Sequence, residues 1–201
     1  MSNKEPQKSH RRFVIRLLLP VACSLFAVAC SESTPKPSGY FRIDLPPADY
    51  HPENHFAGFT FALSDHAAVR KISRKDAETF FNIRYDRLQA EIYCSYLPVK
   101  KGKLAQLSEE SRKFVYLHAA KAEAIQEQFV GNPQRNVYGT VYYLKGNVAS
   151  PTQFVLTDSV STFFRGALYF DHRPNADSTA PVLEYINKDI QVIIESFQWK
   201  K

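Results

Sequence analysis

The feature that most limits what this chain can fold into lies at its start. "MSNKEPQKSHRR" places Lys4, Lys8, Arg11 and Arg12 against the single acid Glu5, and "FVIRLLLPVACSLFAVAC" follows. This is a basic region leading into an apolar one. The uncharged run from Leu17 to Ala29 contains Pro20, and a spanning helix needs about 20 apolar residues, so the run is too short to remain as a transmembrane anchor. It ends in "AVAC", with small Ala27 and Ala29 placed three and one positions before Cys30. The segment reads as a signal peptide over 1–29, so the fold must be built from the residues after it.

The "AVAC" ending resembles the lipobox of bacterial lipoproteins, although Ala27 stands where leucine is usual. That resemblance implies cleavage before Cys30 and a diacylglycerol on its thiol. Cys23 is a weaker candidate, because Pro20 sits three positions before it and the apolar run continues past it. An ordinary signal peptide followed by a free cysteine is the alternative. Residues 30–39, whose "SESTPKPSG" is polar and holds two prolines, read as an extended tether of at most about 30 Å. The folded domain is expected over 40–201.

Composition acquires its meaning only after that cut. The leader contains five of the 26 basic residues (Lys4, Lys8, Arg11, Arg12, Arg16) and one of the 20 acidic ones, Glu5, leaving 21 against 19. The remaining chain is close to neutral, which removes the main support for nucleic-acid binding. Of three cysteines, Cys23 leaves with the leader and Cys30 is the tether, so Cys94 has no disulfide partner and packing alone must hold the domain.

The pattern then alternates between strands and helices. "YFRIDLPPADY" is a short β-like piece, "HPENHFAGF" a loop, and "TFALSDHAAVRKI" a strand, a turn and a second strand. "FFNIRYDRLQAEIYCSYLP" places Phe81, Ile83 and Tyr85, then Ala90, Ile92, Cys94 and Tyr96, in apolar phases, which predicts a hairpin turning at Asp86–Gln89 and ending at Pro98. Cys94 falls in the apolar phase and reads as a small buried hydrophobe rather than a reactive thiol.

Leu107, Phe114, His118 and Ile125 fall on one stripe at helical spacing, with Glu109, Arg112, Lys113, Glu123 and Glu127 opposite, predicting a helix over about 103–129. "GNPQRN" is a turn. "VYGTVYYLKG", "SPTQFVLTD" and "TFFRGALYFD" read as three strands joined closely enough to pair antiparallel, and "HRPNADS" ends the sheet. Helix-start residues Ser178, Thr179 and Pro181 then precede Val182, Ile186, Ile190, Ile193 and Phe197, the apolar face of a helix docked on a sheet. The order implies a single α+β domain, a mainly antiparallel sheet with two long amphipathic helices packed on it.

No familiar catalytic or nucleotide-binding motif is present. His51 and His55 are four apart but in a loop-like, proline-bearing segment, which argues against metal binding. Asp171 and His172 follow a strand end without a placed nucleophile, and His118 reads as a core or boundary histidine. Arg165, on a strand with Phe163, Ala167 and Tyr169 on its side, is a candidate partner contact; the competing reading lays its stem on apolar surface with the head in water. Tyr40, Phe41 and Arg42, just past the tether, are candidates for the same role, or for a strand sealing the sheet edge. No cofactor or metal is expected.

The stretches "PKPSGYFRIDLP", "FNIRYDRLQAEIYCSY", "SRKFVYLHAAKAEAI", "VYGTVYYLKGNVASPTQFVLTDSVSTFFRGALYF" and "PNADSTAPVLEYINKDIQVIIESFQW" are similar to the gliding motility lipoprotein family GldD of the Bacteroidetes. The resemblance runs from Pro35 to Trp199 and is weakest over 48–78. It implies a cell-envelope lipoprotein serving gliding and type IX protein secretion, and the tether, the compact domain and the lack of active-site motifs point to a non-enzymatic role in assembling or stabilising that machinery. Its expected partners are other lipoproteins and ring components of that machinery, and its expected anchor is the membrane, reached through Cys30. The domain is expected to face the periplasm. A small-ligand or peptidoglycan-binding module is the alternative, and a hydrolase using His118 or the Asp171–His172 pair a distant third.

Overall fold

The computed structural model describes residues 44–72, 78–100, 102–118, 121–173 and 175–200. Cys30, Tyr40, Phe41 and Arg42 lie outside them. The elements are β1 (Tyr50–Glu53), β2 (Phe59–Ser64), β3 (Ala68–Ile72), β4 (Thr79–Tyr85), β5 (Ala90–Pro98), α1 (Leu104–His118), β6 (Ala124–Asn132), β7 (Val137–Lys145), β8 (Thr152–Thr157), β9 (Thr162–Phe170), α2 (Ala176–Ser196) and β10 (Gln198–Trp199). They form the α+β domain that the sequence implies.

Seven strands lie in the order β3-β4-β5-β9-β8-β7-β6, each antiparallel to its neighbours. The β4–β5 hairpin turns through a 3-10 turn at Asp86–Leu88, and Gln89 takes φ 50° to close it. The chain then crosses by α1 to the far edge and returns strand by strand, so that β9 slots in beside β5. A small sheet, β1-β2-β10, completes the strands.

Because side chains alternate across a strand, the large sheet has two distinct faces. On one, Phe81, Ile83, Ile92, Phe154, Leu156, Phe164 and Leu168 join Phe59 and Phe61 of β2 and Val182, Ile186, Ile190 and Ile193 of α2 in a single core. Phe197 is fully buried just past α2 and stacks on Phe59 at 5.5 Å between ring centroids. The apolar repeat of α2 is therefore its core face, as its spacing predicts. The helix starts slightly earlier than its Ser-Thr-Pro signal, with the Asn175 side chain accepting from the Ser178 N–H.

On the opposite face a smaller cluster joins Val115 of α1 to Tyr142, Leu144 and Val148. The helix expected over 103–129 is in fact α1 followed by strand β6. Ile125 lies in β6 opposite Leu144, and Phe114 is half exposed while Ser111 and Val115 are buried. The spacing of seven between His118 and Ile125 imitates helical continuity. β6 is an edge strand with most residues exposed on both faces, so it lacks the alternation that marks a half-buried strand. The side chain of His118 is outside the described residues. A second correction concerns "HPENH": Tyr50–Glu53 is a strand, and Pro52 is tolerated there because β1 is an edge.

Candidate functional site

On the face opposite the main core, α1 packs over β7 and β8, while among the described residues most of that face of β4, β5 and β9 is left uncovered by a helix. Their outward residues line a cleft of about 710 Å³, among them Phe80, Asn82, Glu91, Tyr93, Arg165 and Tyr169, a size typical of ligand clefts. Tyr93 is 48 % exposed and meets Tyr169 edge-on at 5.3 Å.

Arg165 sits where the open half of the face meets the half under α1. Its Nη2 donates to Gln153 Oε1 at 2.9 Å, and its guanidinium carbon lies 5.5 Å from the centre of the Phe114 ring of α1. Gln153 is 1 % exposed; its Nε2 and the Nε of Arg165 are both buried without an acceptor. None of the ion pairs among the described residues involves Arg165. Burial lowers its pKa below the usual arginine value. The guanidinium of this half-buried arginine thus lies against an aromatic ring and an amide, with its Nε shut off from water. Ala167 and Tyr169 share its cleft as expected, whereas Phe163 is buried.

The far end of the cleft is electrostatically closed. Arg84 donates through Nη1 to Asp171 Oδ1 at 2.8 Å, through Nη2 to Asp171 Oδ2, and through Nε to Asp86 at 3.1 Å. These hydrogen bonds raise the Arg84 pKa and hold the Asp171 carboxyl below its ordinary range. Asp171 is therefore engaged by an arginine, while His172 stacks on Phe170 at 5.4 Å and contacts the Arg173 carbonyl at 3.0 Å through Nδ1. The two adjacent residues do not form half of a triad.

The remaining candidates are structural. His51 pairs with Asp65 at 2.5 Å and His55 with Glu53 at 2.7 Å, so the two histidines do not converge. No group of three His, Cys, Asp or Glu side chains among the described residues is placed to hold a metal. Cys94 is buried on the core face, and burial pushes its thiol pKa far up.

Sequence reasoning missed two groups. Gln153, in a strand run, carries no signal that it will be buried beside an arginine. Asp189 does carry one: it falls between Ile186 and Ile190 on the apolar stripe of α2. It is 1 % exposed and accepts a 2.7 Å hydrogen bond from the Tyr50 hydroxyl.

Among the described residues the cleft lining holds Arg165, the carboxylates of Glu91 and Asp171, a few hydroxyl and amide groups, and aromatic rings, the equipment of recognition. The family model described as gliding motility lipoprotein GldD matches residues 30–199. The chain belongs to the GldD family. None of the curated proteins matches it. For a GldD lipoprotein, association with the cell envelope follows from the family, and no helix among the described residues is long and apolar enough to cross a membrane.

Proposed function

We propose that this GldD chain is held to an envelope membrane by lipid on Cys30 and supports gliding motility and type IX protein secretion without catalysing a reaction, helping to assemble or stabilise that machinery through contacts with its other lipoproteins and ring components. The observation that carries this reading is the family match over 30–199, whose first residue is the cysteine of "AVAC". The cleft around Arg165 is the contact surface on the domain, and Tyr40, Phe41 and Arg42 extend contact towards the tether. The domain faces the periplasm.

Complementation of a deletion strain tests it. Wild type restores colony spreading, or cargo secretion in a strain that does not glide. Cys30→Ala and Tyr93→Ala proteins, present at wild-type abundance, restore neither. Full restoration by both variants overturns the tether and the contact surface together.

A second reading, a small-ligand module, is favoured by one observation: Arg165 Nε and Gln153 Nε2 lack acceptors at the edge of a cleft.

A further inference from the structure

Three features of the cleft constrain what it can hold. The first is Arg165, the one cation in its lining among the described residues, which has no carboxylate partner there. A charge drawn partly out of water favours a partner; Arg84 has two carboxylates, whereas half-buried Arg165, with its Nε shut off from water, has one amide oxygen, Gln153 Oε1, at 2.9 Å. Gln153 is itself buried, and its oxygen accepts from Nη2, which fixes the plane of the guanidinium beneath the Phe114 ring. A planar fork fixed in this way suits a planar anion.

The second feature is the charge at the other end. Arg165 lies opposite Ser95, and Glu91 lies opposite Tyr169, four residues later on β9 and four earlier on β5. That separation is about 13 Å at roughly 3.3 Å per residue. Glu91 and Asp171 line that end, and Asp171 is already matched by Arg84. A ligand carrying a second negative charge would meet Glu91, so the cleft favours one negative charge at the Arg165 end and none beyond it.

The third feature is the wall between the two ends. Phe80, Tyr93 and Tyr169 offer apolar faces, while Asn82 and Ser95 offer an amide and a hydroxyl within the same lining. Apolar faces with interspersed donors and acceptors suit a short peptide, whose side chains take the rings and whose backbone takes the polar groups.

We propose that the cleft binds a peptide bearing one carboxylate, with Arg165 as the anchor and Gln153 as the residue that positions it. The proposal rests on the cleft being the contact surface assigned above, and names the chemistry of what that surface contacts. The carboxylate is either a chain terminus or the side chain of an acidic residue.

The test uses the full-length lipoprotein in detergent, immobilised and exposed to three pools of randomised N-acetylated tetrapeptides. The first pool ends in free carboxylates and has no acidic side chains. The second is amidated and contains one glutamate, and the third is amidated without acids. Retained peptides are counted by mass spectrometry.

Retention from the first or second pool well above the third is expected. The first alone identifies a chain terminus and the second alone an acidic side chain. Loss of the charged hydrogen bonds in Arg165→Gln weakens retention about tenfold to a hundredfold. Tyr93→Ala, altering a half-exposed residue, weakens it in a protein whose circular dichroism is unchanged.

Equal retention of all three pools, or retention of none, overturns the proposal. So does retention unaffected by Arg165→Gln. Peptide retention by a protein that fails to complement the deletion strain would leave the cleft chemistry standing and remove the motility reading instead.

Discussion

Tyr50 in edge strand β1 donates a 2.7 Å hydrogen bond to Asp189 in α2, 139 positions away in the chain. The contact ties the small sheet to the helix through a carboxylate on the helix's apolar face. Burial raises the Asp189 pKa, and the Tyr50 hydroxyl opposes that rise by stabilising the charged form. The folded state thus holds this proton more tightly than the unfolded chain, where an aspartate titrates at about 3.9. Ionising Asp189 costs stability above its folded pKa, and the cost lifts as pH falls through that value towards 3.9. Tyr50→Phe removes a donor from that carboxyl and should cost about 0.5–3 kcal/mol, more at pH 7 than near pH 4, because the bond is stronger wherever the group is ionised. Denaturant melts of the two proteins at both pH values check this; a loss that grows on acidification contradicts it.

Asp158 titrates in the opposite direction. In the β8–β9 connection burial pushes its pKa up, but the N–H groups of Ser161, Val160 and Thr162 and the Ser161 hydroxyl prevail and hold it at about 2. Its stabilisation is fully present above about pH 3.9 and is lost as pH falls through about 2. Since Asp158 is partly exposed, the scale of a helix cap applies: Asp158→Ala should cost about 1–2 kcal/mol at pH 7. The urea midpoint measures it, and an unchanged midpoint would show that the loop holds without its aspartate.

Gly139 lies on β7 opposite Leu156 of β8. A Cβ there would come within 1.9 Å of the Val155 carbonyl oxygen, and a backbone atom in a ladder cannot swing aside as a side chain can. Gly139→Ala should therefore cost at least the ~1–3 kcal/mol typical of overpacking, read as a lowered melting temperature. A variant as stable as wild type would mean that β7 and β8 separate easily.

Cys94 offers a check on both core and anchor. Its buried thiol should resist a thiol reagent in the native protein and react fully in denaturant, because only the thiolate is the nucleophile. In mature protein an acylated Cys30 leaves one reactive thiol after denaturation; two would show that Cys30 carries no lipid. Rapid native labelling would contradict the burial of Cys94.

Much of this architecture is written in residue spacing. The β4–β5 hairpin follows from two apolar phases separated by Asp86–Gln89, and the core face of α2 from Val182, Ile186, Ile190 and Ile193. The end of α1 was not legible, because Ile125 continues the helical count while the pairing of β6 with β7 overrides it. The site was half legible. An arginine among aromatics marked Arg165, but the partner that orients it lies twelve residues earlier on another strand. Only the register of β8 against β9 brings Gln153 within reach.

The proposed role, a lipid-tethered domain working through contacts with gliding and type IX secretion machinery, can be tested directly. Cells producing tagged wild-type protein or Cys30→Ala are crosslinked, and the material recovered with each is identified by mass spectrometry. The account predicts gliding and type IX secretion components with wild type and their loss with Cys30→Ala at equal abundance. Recovery of none of them with wild type, or equal recovery with both proteins, would contradict it.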